Sequence, residues 1–300
     1  MSRVCRRNSL REPRTIFVTG CSTGIGRATA ELCARAGHRV VATARRPETL
    51  DDLVALAQRE RLQLKVTACD VTDEDSMKGA VEFARASFGD VHVLVNNAGY
   101  GAMGPLEAVP PLEARRQLEV NLFGPMRLVQ LVAPDMRRAG WGRIINVSSV
   151  LGRVVQPLSG WYCASKFALE ALSDTLRLEL EPFGIHTVSI LPGPVRTAFT
   201  SNMTVPPLSA DMPDFYRRLV AYRMRLQSKR PFEVSADAAA RLILRAIQAR
   251  RPRARYLLTV PTHIAVHLRP LLTVRAWDRL VAWYFGVGRV RTTDEERATR

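Results

Sequence analysis

Lysine is the scarcest charged residue in this 300-residue chain: the 44 basic side chains include four lysines, at 65, 78, 166 and 229, against forty arginines. Arginine and lysine are not interchangeable, so a lysine inside a motif asks for a chemical reason. Cysteine is sparse as well. The five, at 5, 21, 33, 69 and 163, are scattered and form no CxxC pair, which argues against a structural metal site and fits a reducing compartment. No run reaches the ~20 apolar residues of a membrane-spanning helix. The basic opening MSRVCRRNSLREPR leads into no apolar signal core, so export is not expected. Internal repeats and low-complexity linkers are lacking. No nucleic-acid-reading module is visible, and the arginines are not interleaved with aromatics as a stacking platform requires. These absences leave a protein expected in the cytoplasm, soluble or lying on a membrane surface.

The net charge of +16 is uneven. Residues 1–200 carry 25 basic and 20 acidic side chains, or +5, whereas residues 201–300 carry 19 and 8, or +11. A basic C-terminal third suits an anionic lipid surface. The plainer account is a general arginine habit on a solvated surface.

Short Val- and Ile-rich runs alternate with helical spacing. Residues 15–20, 39–44, 64–69, 91–99, 142–149 and 186–193 read as buried strands. Residues 24–36, 74–88, 112–139, 162–182 and, later, 235–250 read as helices. This alternation predicts an α/β fold: a doubly wound, Rossmann-type parallel sheet with helices on both faces, joined by right-handed crossovers. We expect a basic tail over 1–13, one dinucleotide-binding and catalytic domain over 14–260, and an amphipathic extension over 261–300 that covers the substrate. Ligands in such sheets bind beyond the carboxyl ends of the strands, so the residues after each apolar run are the candidates.

The first strand runs into TGCSTGIG, Thr19 to Gly26. Gly20 and Gly24 allow a tight turn and Gly26 a close helix–strand approach. The N–H groups of Ser22, Thr23, Gly24 and Ile25 at the helix start then suit a phosphate. A strand–turn–helix that binds nothing also favours glycine, so the turn needs its context. The second strand ends in Ala44, Arg45 and Arg46, where sheets that bind NAD place an acidic residue for the ribose. Guanidinium groups there suit a 2′-phosphate, which favours NADP(H) while leaving NAD(H) possible. Asp70, followed by Val71, ends the third strand and is placed to accept from an adenine amino group; its other reading is a cap on the following helix.

TGCSTGIG, NNAG (96–99), the Ser149 of NVSS, YCASK (162–166) and PGPVRT (192–197) occur in the order seen in the short-chain dehydrogenase/reductase family. The chain resembles that family over roughly residues 14–200, in wording closest to the branch holding estradiol 17β-dehydrogenase and the retinol dehydrogenases. The resemblance implies a hydroxyl–carbonyl oxidoreductase. Tyr162 would be the general acid/base, Ser149 would hydrogen-bond the substrate oxygen, Lys166 would hold the nicotinamide ribose and depress the Tyr162 pKa, and Asn121 would anchor a proton relay through water. Asn97, Ala98 and Gly99 would line the cofactor floor, with Pro192, Gly193, Val195 and Thr197 closing over the carboxamide. Pairing of similar proteins through the helices at 112–139 and 162–182 implies a homodimer or homotetramer.

The chemistry asks for such a set independently. Reducing a carbonyl leaves an oxygen that needs a proton, and a free phenol titrates near ~10, too high for a good base at neutral pH. A cation one helical turn away lowers it. Lysine offers a compact point charge where the planar arginine fork is bulkier, which explains a lysine in a chain that otherwise chooses arginine. Residues 197–230 contain Phe199, Met203, Val205, Met212, Phe215, Tyr216, Leu219, Tyr222 and Met224 with few carboxylates. Such a cover suits a flat apolar alcohol or ketone of steroid, retinoid or long-chain type. The segment 268–291 mixes Trp277, Trp283, Tyr284 and Phe285 with Arg269, Arg275, Arg279, Arg289 and Arg291, as an amphipathic helix on an anionic membrane would, or as one packed on the core or a partner subunit. The alternative to catalysis is a dinucleotide-binding sensor or scaffold, which need not keep the acid/base set. A sugar-nucleotide epimerase or dehydratase also uses a Tyr–Lys pair.

Overall fold

The computed structural model describes residues 12–199, 203–205, 207–209, 211–228 and 232–290. Nearly all of the basic tail expected over 1–13, and Arg291 of the C-terminal segment, lie outside the described residues. The elements follow in chain order as β1 (Thr15–Val18), α1 (Gly24–Arg35), β2 (Arg39–Ala44), α2 (Asp51–Arg59), β3 (Leu64–Ala68), α3 (Glu74–Phe88) and β4 (Val93–Asn96). Next come α4 (Pro111–Leu118), a π-helical turn (Glu119–Phe123), α5 (Gly124–Ala139), β5 (Gly142–Val147), α6 (Gly160–Leu180), β6 (Ile185–Leu191) and β7 (Val195–Arg196). The chain continues through α7 (Asp214–Ser228), β8 (Val234–Ser235), α8 (Ala236–Gln248), β9 (Arg255–Leu257), α9 (Val260–Leu268) and α10 (Val274–Tyr284).

Seven strands form one sheet in the order β3-β2-β1-β4-β5-β6-β9, and every neighbouring pair is parallel. The winding direction reverses between β1 and β4, the place where a doubly wound sheet opens a crevice. Side chains alternate between the faces. Ile16, Val18, Val93 and Val95 join α1, α2 and α8 in one core, while Phe17, Leu94 and Ile144 join α3 and α5 in the other. Burial on both faces is why the strands read as continuous apolar runs.

Two expectations change. The helix predicted over 112–139 is split by the π turn that carries Asn121. Pro125 has no N–H to give the carbonyl of residue 121, so the α-helical ladder cannot run unbroken there. Gly124 makes the joint compact, because a Cβ on it would lie 2.2 Å from the Val71 carbonyl oxygen. The second change is β9, which adds a seventh strand beside β6. The boundary expected at 260/261 falls in the first turn of α9.

Strand β1 begins against two imidazoles. The Arg14 N–H donates to His38 Nδ1 at 3.2 Å and the Thr15 N–H to His92 Nδ1 at 3.3 Å. Burial and then the Arg14 charge lower the pKa of both rings. Rings that stay neutral when folded but take protons when unfolded withdraw stability as pH falls through about 6.5. The melting temperature should therefore drop between about pH 7.5 and about pH 5.5, and the His38→Asn/His92→Asn pair, whose amide oxygens still accept, should show a shallower drop. Identical slopes would reject this account.

Candidate active site

The glycine turn between β1 and α1 is shaped for close approach. Gly20 and Gly24 have φ of +69° and +65°, a region that favours glycine. A Cβ on Gly24 would lie 3.0 Å from Thr197 Cγ2, so Thr197 lies close against the turn. Gly26 plays a different part: a Cβ there would lie 2.3 Å from Asn97 Nδ2 and 2.4 Å from the Gly20 carbonyl oxygen, and Gly26 is buried behind the turn. Asn97 Nδ2 donates to the carbonyl oxygens of Thr19 and Gly20 at 2.9 and 3.0 Å, tying the end of β4 to the turn. Thr19, which the sequence reading did not single out, accepts from the N–H groups of both Asn97 and Ala98 at 3.0 Å. A hydroxyl directly after the first strand was the available signal.

One cavity of about 1140 Å³ joins this turn to the acid/base candidates. It is lined by Gly20, Ser22, Thr23, Gly24 and Ile25, by Arg45 and Arg46, and by Asp70 and Val71. Asn97, Ala98 and Gly99, then Ser149, Tyr162 and Lys166, and Pro192, Gly193, Val195 and Thr197 complete the expected set. Gly26 and Asn121 stand behind its wall. Arg45 and Arg46 are exposed at its edge and make no ion pair among the described residues. Asp70 Oδ1 accepts from the N–H and hydroxyl of Thr72. Asp73, not Asp70, caps α3, accepting from the Ser76 N–H at 2.7 Å. The concave, N–H-rich glycine turn suits a nicotinamide dinucleotide, since any side chain at Gly20 or Gly24 would intrude on its neighbours.

Tyr162 and Lys166 share one face of α6, with the ammonium 5.8 Å from the phenol ring centroid. Lys166 Nζ donates to the Val147 carbonyl oxygen at 2.9 Å. Burial pulls its pKa down to about 8, with the Glu170 carboxylate acting in the opposite direction. Burial pushes the Tyr162 phenol up, and a hydrogen bond with Ser149 opposes that. The net direction is upward because desolvation is the largest influence on the phenol. Ser149 Oγ also accepts from the Leu151 N–H at 3.1 Å, which fixes the serine at the end of β5.

Asn121 is buried completely and touches the site through its neighbours. Its Oδ1 accepts from the Tyr100 N–H at 3.1 Å, and its Nδ2 donates to the Tyr100 carbonyl at 2.9 Å and to Ser165 Oγ at 3.1 Å. A Cβ on Gly99 would stand 3.1 Å from Asn121 Oδ1 and 3.7 Å from Lys166 Nζ. The missing side chain therefore leaves a gap open between amide and ammonium.

The apolar wall departs from the sequence reading. Of the side chains named in 197–230, Phe199 and Met203 line the cavity, Phe199 with its ring 5.7 Å from that of Tyr162. Leu219 packs with Met103, Leu158 and Phe215 in a separate small core, Tyr216 bonds Glu107, and Val205 and Met224 are exposed. The C-terminal helices add Val260, Ile264 and Leu268 of α9 and Trp277, Leu280, Val281 and Tyr284 of α10, and the loop after β5 adds Leu151, Val154 and Val155. The 3–4 spacing of the α10 residues places them on one face. Trp277 is buried there, while Val274, Trp283 and Tyr284 of the same helix are exposed. Gly193 receives this extension, since a Cβ on it would lie 2.1 Å from Thr259 Oγ1.

A family model described as short chain dehydrogenase matches residues 14–206. The human 17-beta-hydroxysteroid dehydrogenase type 1 is 37% identical over 273 residues, covering 88% of this chain and 81% of that protein. A 3-ketodihydrosphingosine reductase from Bacteroides thetaiotaomicron is 37% identical over 205 residues, covering 68% and 72%. The crystal structure of a short chain dehydrogenase/reductase from Burkholderia phymatum in complex with NAD superposes with a TM-score of 0.74 at 28% identity, covering 86% of this chain and 92% of the other.

The folded Lys166 pKa of about 8 lies below its ordinary 10.5. Below about pH 8 the folded chain therefore bears the cost of a buried charge, and that cost is relieved as pH rises toward the unfolded value. Lys166→Met should raise the unfolding free energy near neutral pH by about 1–3 kcal/mol, a gain that shrinks in more alkaline solution. Denaturant titrations across that range would expose the error if the variant were less stable, or if its gain ignored pH.

Proposed function

The chain belongs to the short-chain dehydrogenase/reductase family, and from that membership we propose that it interconverts a hydroxyl and a carbonyl on a lipophilic substrate with NADP(H). It is an NAD(P)-dependent oxidoreductase of the CH–OH class. The observation that carries the finer reading is a buried phenol that shares the lining of an apolar cavity with Ser149 and lies one helical turn from Lys166. The carboxylates on the cavity lining are Asp70 and Glu113, and both helices of the C-terminal extension present aliphatic and aromatic side chains to it. A steroid-, retinoid- or long-chain-like skeleton suits that wall. The relatives named for a hydroxysteroid and a ketodihydrosphingosine point the same way.

A bound nicotinamide would supply or take the hydride. The residues do the rest. Ser149 donates a hydrogen bond to the substrate oxygen and holds Tyr162 toward it. Tyr162, protonated, gives its proton to that oxygen as the carbonyl becomes a hydroxyl; in oxidation the phenolate takes the proton back. Burial opposes the phenolate, so the Lys166 ammonium is the group that makes it reachable. Asn121 holds the Tyr100 backbone beside the gap at Gly99, where protons can pass onward. Arg45 and Arg46 are free to clamp a 2′-phosphate, with no acidic side chain at the end of β2. The exposed Leu112, Phe123 and Leu178 on α4, the π turn and α6 support the expected dimer or tetramer.

Tyr162→Phe should lower kcat by about 10²–10⁴-fold with little change in dinucleotide affinity, and kcat/KM should favour steroid, retinoid or long-chain carbonyls over short polar ketones. Full turnover in the phenylalanine variant, or preference for sugars, would reject the assignment. Replacing Arg45 and Arg46 with alanine should cut kcat/KM for NADPH by about 10–100-fold and leave NADH nearly untouched. Equal losses with both cofactors would remove the 2′-phosphate reading.

A further inference from the structure

Lys166 raises a problem that the four expected catalytic groups do not solve. Its ammonium is buried, donates to the neutral carbonyl oxygen of Val147 and makes no ion pair among the described residues. Such a group tends to shed its proton, yet its work beside Tyr162 needs the charge. One turn further along α6 lies Glu170, 2% exposed. Its Oε2 accepts from Arg255 Nε of β9 at 2.7 Å, while its Oε1 is buried with no hydrogen-bond partner. Arg255 is shared, because it also bonds Asp174, which is itself paired with Arg177 at 2.9 Å. The guanidinium therefore anchors Glu170 without cancelling its charge one for one. Residues four apart on a helix are neighbours, and in a dry interior a carboxylate acts strongly on a nearby cation.

The loop after β5 is shaped around this pair. A Cβ on Gly152 would lie 2.9 Å from both Glu170 Cγ and the Lys166 carbonyl oxygen. Only a residue without a side chain lets the loop lie flat on this part of α6.

We propose that Glu170 is a positioning residue for the active-site lysine: anchored from behind by Arg255, its buried carboxylate keeps the Lys166 ammonium charged. The groups acting on this pair are Tyr162, Asp174 and Arg177 on α6 and Arg255 from β9; the charge that opposes the downward pull of burial on Lys166 is that of Glu170. The catalytic consequence rests on the function proposed above; the electrostatic claim does not.

The scarcity of lysine makes a direct test practical. Protein labelled with 13C at lysine Cε carries four resonances, and the one absent from Lys166→Met reports the active site. In the native chain its titration midpoint should lie well below those of the other lysines. Glu170→Gln keeps the shape and an acceptor for Arg255 but removes the charge, so the Lys166 midpoint should fall by about one pH unit, a tenfold change in proton affinity. Arg255→Met should move it upward, because it frees the Glu170 charge. Unchanged midpoints overturn the proposal. If Glu170→Gln does not fold, Glu170→Asp, which withdraws the carboxylate by one methylene, should lower the Lys166 midpoint by a smaller step, and an unchanged midpoint there overturns the proposal. With a carbonyl substrate, the alkaline limb of the kcat profile of Glu170→Gln should move to lower pH together with the lysine midpoint. An equal loss of rate at every pH would mean a merely structural role and would overturn the proposal. The lysine titration needs no turnover, so a failure of the functional assignment is told apart from a failure of this one.

Discussion

Lys166 carries its charge in surroundings that oppose it. It lies inside the protein, one turn of helix from a phenol that burial also drives toward its neutral form. The two groups need each other: a phenolate becomes accessible only against a nearby cation, and the cation persists only if something else in the interior answers for it. Much of the architecture around α6 meets that demand. Val147 offers its carbonyl from the end of β5, and Glu170 and Arg255 lie behind the lysine.

The parallel sheet is what brings these parts together. Because every strand of the main sheet runs the same way, the ends of β1, β4 and β5 open on one side, and the residues after them meet although they are far apart in the chain. The contacts there are specific. Asn97 and Thr19 stitch the end of β4 to the glycine turn. Asn121, on a π turn enforced by Pro125, reaches the backbone of Tyr100. A π turn at such a site is a local departure from regular helix that aims a side chain the regular helix would misdirect.

The substrate side has a different origin. Part of its apolar wall is assembled late in the chain by α9 and α10, held against the sheet where Gly193 leaves room for Thr259 and Thr262. Chemistry and recognition are thus carried by separate stretches. The glycine turn, Tyr162 and Lys166 come from the first part of the chain, and the C-terminal helices add aliphatic and aromatic side chains to the same cavity.

Much of this was legible in the chain itself, for physical reasons. Helix 74–88 has its ends where the reading put them, since Asp73 caps its start and Gly89 ends it with a positive φ. Strand 39–44 carries apolar residues on successive positions, Val40, Val41 and Ala42, because both faces of the sheet are covered. The Tyr162–Lys166 pairing was readable because one of four lysines, in a chain with forty arginines, stands four residues from a tyrosine, and both side chains reach one cavity. Helix Asp51–Arg59 was missed although Leu53, Leu56 and Ala57 carry the helical spacing. Strand β9 is three residues long and gives no periodicity to read. The bearing of desolvation on Tyr162, the engagement of Glu170 by Arg255 across 85 residues, and the identity of the cavity wall belong to tertiary structure alone. Local spacing determines which face a side chain shares with its neighbours. How dry that face becomes, and which distant charge is packed against it, depends on the other elements laid over it.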